Sequence, residues 1–132
     1  DFIGSMNFFE GEVIGVENKQ LRVSTQSLGE VILELPDTDY TPKNSIWIAI
    51  RPEKLKPSFF APEAKSNVVM GKMGPSAYLG DRSHFYVHLE NRNEPVLVAL
   101  QNLERSIDHL SQPNQEVWLQ WSNDSVVILP RD

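Results

Sequence analysis

The segment Asn7–Gly11, which reads NFFEG, returns later in the chain as Asn67–Gly71, which reads NVVMG. Each copy opens a series of short apolar segments that closes on a tryptophan-bearing stretch, Ile46–Ile50 in the first case and Val117–Trp121 in the second. A faint internal repeat of this kind indicates one small β unit used twice. Two copies are too few for a solenoid, so we expect one compact body built from two similar halves.

Length and composition predict a single globular domain. The chain has 132 residues, of which 40% are hydrophobic and 23% are charged, and these are ordinary values for a globular protein. We expect one β domain over 1–132, with a first half at about 1–56, a connector at about 57–66 and a second half at about 67–132.

The charge balance and the lack of cysteine exclude several classes of function. The formal net charge is −6 and the pI about 5.0, so a nucleic-acid-binding barrel is disfavoured, because an acidic domain repels a polyanion. Without cysteine there can be no disulfide, thiolate metal site or Cys nucleophile. The sequence has no apolar run of roughly 20 residues and no secretory leader. Because it starts at Asp1, we expect it to be a piece of a longer protein.

Strand patterns dominate the chain. Apolar and polar residues alternate in Gln20–Thr25 and in His84–Leu89, and two hairpins are predicted, around Glu17–Lys19 and around Glu90–Glu94. One short helix is predicted from the spacing of Leu103, Ile107 and Leu110. Many short strands and almost no helix predict an all-β fold, a barrel or sandwich of short antiparallel strands with at most one or two short helices.

Prolines and asparagines mark the expected irregular segments. Pro52, Pro57 and Pro62 lie within 51–66, and this predicts an irregular connector because proline removes backbone donors. We expect Phe59 and Phe60 to fix the connector by burying their rings. The sequence Ser122–Asp124 predicts a tight hairpin turn between two final strands.

No catalytic or metal-binding motif emerges. His84 and His88 share a predicted strand face, but residues four apart on a strand are roughly 13 Å apart, too far for one ion. Gly71–Gly74 lacks the glycine and the Ser or Thr that a P-loop needs around its Lys, since Ser66 and Met73 occupy those places. There is no Gly-x-Ser-x-Gly motif, and the acidic pairs on predicted strands fit solvated faces.

Two tryptophans are candidate contact residues. Regular alternation directs Trp47 and Trp118 away from the aliphatic faces of their strands. They could contact another domain or subunit, where tryptophan is favoured. The alternative is that they pack against the connector or a second sheet, and we favour it because a sandwich buries both faces of some strands.

The string Ile50–Leu55, which reads IRPEKL, resembles the C-terminal β domain, often called TOBE, of ABC importer ATPase subunits. Asp1–Gly11 is similar to the segment by which such chains leave their nucleotide-binding domain. Ala77–Asp81, Leu100–Asn102 and Val117–Trp121 extend the likeness over essentially all of the chain. Within the family the sequence most resembles ATPase subunits of polyamine importers, the putrescine type in particular.

The resemblance implies an OB-like domain that follows an ATPase domain on the cytoplasmic side of a bacterial inner membrane, as part of a peripheral subunit. Arg51, Pro52 and Glu53 carry over as the family string, with Tyr78, Gly80 and Asp81 as its turn, and none of them has a catalytic role. The implied partners are the nucleotide-binding domain, a second ATPase subunit in a homodimer, the importer's membrane subunits and, in some members, a regulatory protein or a small ligand. ATP and magnesium belong to the nucleotide-binding domain, so no cofactor is expected in this chain.

Two hypotheses about function follow from the resemblance. The first is a non-catalytic domain that serves subunit pairing and regulation, and the second is a small-ligand sensor for a polyamine or an oxyanion. We also expect Arg51 to make a structural or subunit-bridging ion pair, with Glu53 or with an acid of a neighbouring chain. The family often has glycine shortly before the tryptophan strands, where this chain has Asn44 and Asn114. Since Asn can also adopt positive φ, we expect the fold to be kept.

Overall fold

The computed structural model describes residues 6–35, 43–79, 82–101 and 114–130. Short strands and two 3-10 turns, at Pro52–Lys54 and Asn123–Ser125, make up the regular structure of these ranges. The strands are β1 (Asn7–Glu17), β2 (Gln20–Thr25), β3 (Gly29–Glu34), β4 (Ser45–Ile50), β5 (Lys56–Ser58), β6 (Val68–Leu79), β7 (Arg82–His88), β8 (Val96–Gln101), β9 (Glu116–Gln120) and β10 (Val126–Pro130). The all-β prediction is confirmed.

The strands form two five-stranded antiparallel sheets with matching orders. The first sheet has the order β10-β4-β1-β2-β3 and the second β5-β9-β6-β7-β8. Each strand of one sheet has a counterpart at the same place in the other, so the two halves share one plan. The last strand of each half joins the sheet of the other half. β5 follows β4 in the chain but pairs with β9, and β10 follows β9 but pairs with β4.

The core lies between the inward faces of the sheets and follows the predicted alternation. Leu21 and Val23 of β2 are fully buried, as are Phe85 and Val87 of β7. The alternate positions on these strands are more exposed, so each sheet has one face in the core. Ile46, Ile48 and Ile50 of β4 are buried together, whereas Trp47 between them is only half-buried.

The two predicted hairpins are present, and their turns explain the choice of residues. Asn18 and Lys19 have φ values of 53° and 64° between the paired residues Glu17 and Gln20. Two consecutive positive φ angles in a two-residue loop are typical of the type I′ turn that matches strand twist. The β7–β8 hairpin contains Asn91 at φ 63°.

The glycines of the repeated segment allow two strands to approach closely. A Cβ added at Gly71 would lie 2.5 Å from Val87 Cγ1 and 2.7 Å from the His88 carbonyl oxygen. A Cβ at Gly11 would collide in the same way with Val23, the counterpart of Val87. The repeat therefore keeps glycine for steric reasons, at the same place in each half.

The structure corrects the prediction of an irregular connector over 51–66. Pro52–Lys54 is a 3-10 turn and Lys56–Ser58 is β5. Pro57 is compatible with β5 because β5 is at the edge of its sheet, where a strand can lack one backbone donor. Phe59 packs against the core as expected, but the prediction for Phe60 is wrong, since its side chain is 82% exposed.

Two turn predictions also need correction. The segment at Asn123 does not close a hairpin, because β9 and β10 belong to different sheets and the 3-10 turn carries the chain between them. The sequence allows positive φ for both asparagines that precede the tryptophan strands. Asn114 has φ 65°, whereas Asn44 is not among the described residues with positive φ. Asn44 accepts a hydrogen bond from Val13 N at 2.8 Å through its carbonyl.

Some predictions lie outside the described residues. The short helix expected around Leu103–Leu110 falls there, and so do Gly80 and Asp81 of the predicted turn. Within the part of the chain that the structure describes, no helix is long and apolar enough to cross a membrane.

Candidate functional site

The two asparagines of the repeat join the halves through their side-chain amides. Asn67 Nδ2 donates to the Ile32 carbonyl and Oδ1 accepts from Ile32 N, both at 2.8 Å. Asn7 does the same with Leu97, where both distances are 2.9 Å. Each amide thus satisfies backbone groups on the third strand of the other half, as another strand would. We call these two side chains the amide clasps.

The family string forms the corner where the chain passes from one sheet to the other. Pro52 is buried and begins the 3-10 turn, Arg51 precedes it in extended conformation, and Leu55 returns the chain to the core at 1% exposure. The turn packs against β8. Proline suits this first position because its φ is already helical and no donor is lost there. Pro52 and Leu55 therefore have a structural role in the described fold.

Arg51 makes no ion pair with the other described residues. Its side chain is exposed, and its carbonyl accepts a hydrogen bond from Lys54 N at 2.9 Å. The predicted pair with Glu53 is therefore absent from this part of the chain. A bridge to a neighbouring chain stays a prediction. Tyr78 pairs with Ser83 through the β6–β7 ladder, and its side chain, like Gly80 and Asp81, lies outside the description.

Trp47 and Trp118 occupy equivalent places in β4 and β9 and are both half-buried. Neither is in the buried core, so the expected orientation away from the aliphatic face is confirmed. Their surroundings differ, however. Trp47 lines a groove together with Tyr86, and Trp118 is not part of its lining.

That groove has a volume of about 620 Å³ and lies between the outer face of the first sheet and the β7–β8 hairpin. We call it the Trp47–Tyr86 groove; its lining includes Phe8, Glu10, Trp47, Tyr86, Arg92 and Glu94. Tyr86 is 41% exposed, and Glu10 and Glu94 are also exposed. The groove combines aromatic faces with carboxylates.

Arg92 fixes the hairpin loop above the first sheet. Its Nη1 donates to the Phe8 carbonyl at 2.9 Å and its Nε to the Glu94 carbonyl at 3.0 Å. The guanidinium carbon lies 4.4 Å from the centre of the Phe9 ring, within cation–π distance. Burial lowers the pKa of Arg92 below its ordinary value, and Glu94 acts in the opposite direction.

The equivalent region of the other half has different chemistry. Arg22 takes the place of Tyr86 on β2 and forms an ion pair with Glu30 of β3. Met70 takes the place of Glu10, as the repeat itself shows, and is 41% exposed. The side chains around Trp118 therefore differ in chemistry from those of the Trp47–Tyr86 groove, although the fold is built twice.

The remaining candidates are the two histidines of β7 and the segment Gly71–Gly74. His84 and His88 lie on one face of β7, and no cluster able to hold a metal ion occurs among the described residues. Gly71–Gly74 is part of strand β6. Sequence reasoning missed Arg92 and Glu94, which belong to no motif, and it missed the clasp role of Asn7 and Asn67. The repeat was the available signal for the clasps.

The comparisons with known proteins agree with this architecture. The sequence profile of the TOBE domain matches residues 48–129, from β4 to β10. The putrescine transport ATP-binding protein PotG of Escherichia coli (strain K12) is 31% identical over 129 residues, which are 98% of this chain and 34% of that protein. The spermidine/putrescine import ATP-binding protein PotA of Trichodesmium erythraeum (strain IMS101) is 29% identical over 136 residues, with the same two coverages. The chain spans about a third of the length of these curated relatives.

A solved structure has the same fold. The molybdate-bound form of ModG, a cytoplasmic molybdate-binding protein, matches with a TM-score of 0.72 and covers 95% of this chain and 96% of its own. At 9% identity this likeness concerns the fold alone. The match of the TOBE profile to well over half of the sequence decides the family. This chain belongs to the TOBE domain family.

Proposed function

We propose that this chain is the non-catalytic C-terminal domain of the ATP-binding subunit of a bacterial ABC importer for polyamines, and that it serves regulation and subunit pairing. The observation that carries the proposal is the pair of alignments in which 98% of this chain corresponds to 34% of a polyamine importer's ATP-binding protein. The remaining two thirds of such a protein would hold the nucleotide-binding domain with its ATP and magnesium.

The backbone around Lys72 supports a non-catalytic role. Lys72 pairs with His88 on one side and with Glu116 on the other, and its neighbours Gly71 and Met73 are also paired with adjacent strands. A phosphate-binding loop needs free backbone N–H groups that converge on the ligand. The backbone of Gly71, Lys72 and Met73 is committed to strand pairing instead.

The proposed assembly is a peripheral subunit on the cytoplasmic side of the membrane. Its partners would be the nucleotide-binding domain, a second copy of the ATPase subunit and the importer's membrane subunits. Arg51 and Glu53 are exposed beside the corner between the sheets, and half-buried Trp118 lies on the second sheet. These residues are the candidate contacts, because tryptophan and arginine are favoured at interfaces.

Two measurements on the 132-residue chain test this function. Sedimentation equilibrium should reveal concentration-dependent pairing that Arg51→Ala weakens, with Arg22→Ala as a matched control, because Arg22 is already paired with Glu30. An ATPase assay should give no turnover above the buffer rate. Turnover by the chain alone would overturn the non-catalytic role, and a monomer at all concentrations would remove its independent part in pairing.

A second candidate function, a small-ligand sensor within the same subunit, is favoured by the Trp47–Tyr86 groove. ModG binds molybdate, which makes an oxyanion one option for this fold. The net charge of −6 opposes an oxyanion and favours a cation, since the field of the whole domain attracts positive ligands. The choice between them depends on the chemistry of the groove.

A further inference from the structure

Another groove lies where the chain crosses from one sheet to the other. It has a volume of about 540 Å³, and its walls come from the Pro52–Lys54 turn, from β5 and from the segment that leads from β9 into the Asn123–Ser125 turn. We call it the corner groove; its lining is Glu53, Lys54, Lys56, Gln120, Trp121, Ser122, Asp124 and Ser125. It shares no lining residue with the Trp47–Tyr86 groove.

The chain is acidic, but the stretch that forms this corner is basic. Residues 51–56 contain three basic side chains and one acid, so they carry a net charge of +2 within a chain of net charge −6. Lys54 and Lys56 are exposed, and neither makes an ion pair with another residue of the described ranges. Two lysines that no neighbouring carboxylate holds favour an acidic ligand.

The lining also contains a buried donor without an acceptor. Trp121 is 4% exposed, and its Nε1 has no hydrogen-bond partner among the described residues. Buried polar groups are nearly always hydrogen-bonded, so this N–H is available to an acceptor that enters the groove. Indole N–H and lysine ammonium groups are donors only. A ligand that satisfies these groups must therefore be rich in acceptors.

Two carboxylates of the lining argue against a simple inorganic anion. Asp124 accepts a hydrogen bond from Ser122 Oγ at 2.6 Å, and Glu53 is exposed. Both acids would repel sulfate or molybdate, which have no donor to offer them. A peptide segment brings carboxylates for the lysines and backbone N–H groups for the acids. A volume of about 540 Å³ is also in the size range of sites for organic ligands.

The two lysines are not required by the fold, since the equivalent crossing of the other half lacks them. Lys56 enters β5 beside β9, and Val127 takes the equivalent place in β10 beside β4. Lys54 and Ser125 are the third residues of the two 3-10 turns. The same backbone path is therefore built once with lysines and once without them.

We propose that the corner groove is an interaction surface for an acidic peptide segment of a partner protein. Carboxylates of the segment accept hydrogen bonds from Lys54, Lys56 and Trp121 Nε1. Backbone N–H groups of the segment donate to Glu53 and Asp124. The domain can serve subunit pairing and regulation without this surface, so the two proposals can fail separately.

Titration of the 132-residue chain with a capped hexaglutamate peptide, followed by NMR, tests the proposal. We expect saturable binding in about 0.15 M sodium chloride, where the Debye length of about 8 Å screens acids far from the groove but not the lysines in contact. The indole N–H signal of Trp121 should shift, whereas that of Trp47, which lies outside the corner groove, should stay in place. Capped hexaglutamine and sodium sulfate at equal concentrations should leave both signals unchanged.

Matched variants assign the site. Lys56→Gln should weaken hexaglutamate binding by about twofold to fivefold, the range for an exposed ion pair. Lys72→Gln removes an exposed lysine from the same sheet but outside the groove, and it should leave the dissociation constant unchanged. Trp121→Phe keeps an aromatic ring but loses the donor. It should weaken binding by about tenfold, the effect of losing one hydrogen bond to a charged group.

The outcomes separate this inference from the proposed function. Absence of hexaglutamate binding at millimolar concentration, or equal losses in Lys56→Gln and Lys72→Gln, would overturn the corner groove as a site for an acidic segment. Binding of sulfate with the same variant pattern would also overturn it, because the groove would then be a simple anion site. Each of these results leaves pairing and regulation standing. Circular dichroism checks folding, and since Lys56 is exposed, Lys56→Gln gives a decisive result even if Trp121→Phe unfolds the chain.

Discussion

Replacement of Asn67 by alanine should destabilise the domain far more than an ordinary asparagine substitution. Asn67 is 4% exposed, and its amide makes three hydrogen bonds, two with Ile32 and one from Nδ2 to Asn123 Oδ1 at 2.6 Å. Loss of each bond costs about 1 kcal/mol, and a group left buried without a partner costs more. Asn67 also has φ 58°, where alanine is disfavoured by roughly 1 kcal/mol.

The expected total is therefore about 3 to 4 kcal/mol of unfolding free energy. Asn18→Ala is the matched control, because Asn18 has φ 53° in an exposed turn and only the backbone cost of about 1 kcal/mol should apply there. Urea unfolding followed by tryptophan fluorescence and circular dichroism measures both values. Equal losses in Asn67→Ala and Asn18→Ala would refute the role of the amide as a clasp between the halves.

Three further changes test other parts of the fold. Gly71→Ala should lower the free energy of thermal unfolding by about 2 kcal/mol or more, because its Cβ would meet Val87 and His88. Gly15→Ala, with no atom within 4 Å of the added Cβ, should be nearly neutral. Similar losses in the two variants would contradict the steric explanation. Lys19→Gly should stabilise the β1–β2 hairpin by up to about 1 kcal/mol, since Lys19 has φ 64°, and no gain would argue against the turn assignment. Trp121→Phe should lower the free energy of unfolding by less than about 1 kcal/mol, because it removes a buried Nε1 that has no partner among the described residues. A loss above about 3 kcal/mol would mean that this N–H is satisfied in solution.

The parts of the fold that follow local patterns could be read from the sequence. Alternation in β2 and β7 identified the buried faces, and Asn18 identified the first hairpin. The strand exchange could not be predicted, because it depends on pairings between distant segments. Lys56–Ser58 has no strand signal of its own, since Pro57 is acceptable only where the strand is at a sheet edge.

The candidate site was only partly predictable for the same reason. Trp47 was identified because alternation turned it away from the aliphatic face. Arg92 and Glu94 belong to a loop with no motif, and they reach the first sheet only through the packing of one half on the other. The repeat indicated that Asn7 and Asn67 were equivalent, but it gave no sign that their amides bind the opposite half.

The most direct test of the proposed function uses the complete ATP-binding subunit that the proposal implies, assembled with the membrane subunits that it also implies. ATP hydrolysis and putrescine uptake would be measured with the intact subunit and with one that lacks the region corresponding to residues 1–132. If this chain is a non-catalytic regulatory domain, the shortened subunit keeps ATP hydrolysis but loses its response to added putrescine. Complete loss of hydrolysis in a folded, ATP-binding subunit, or an unchanged response to putrescine, would contradict the account.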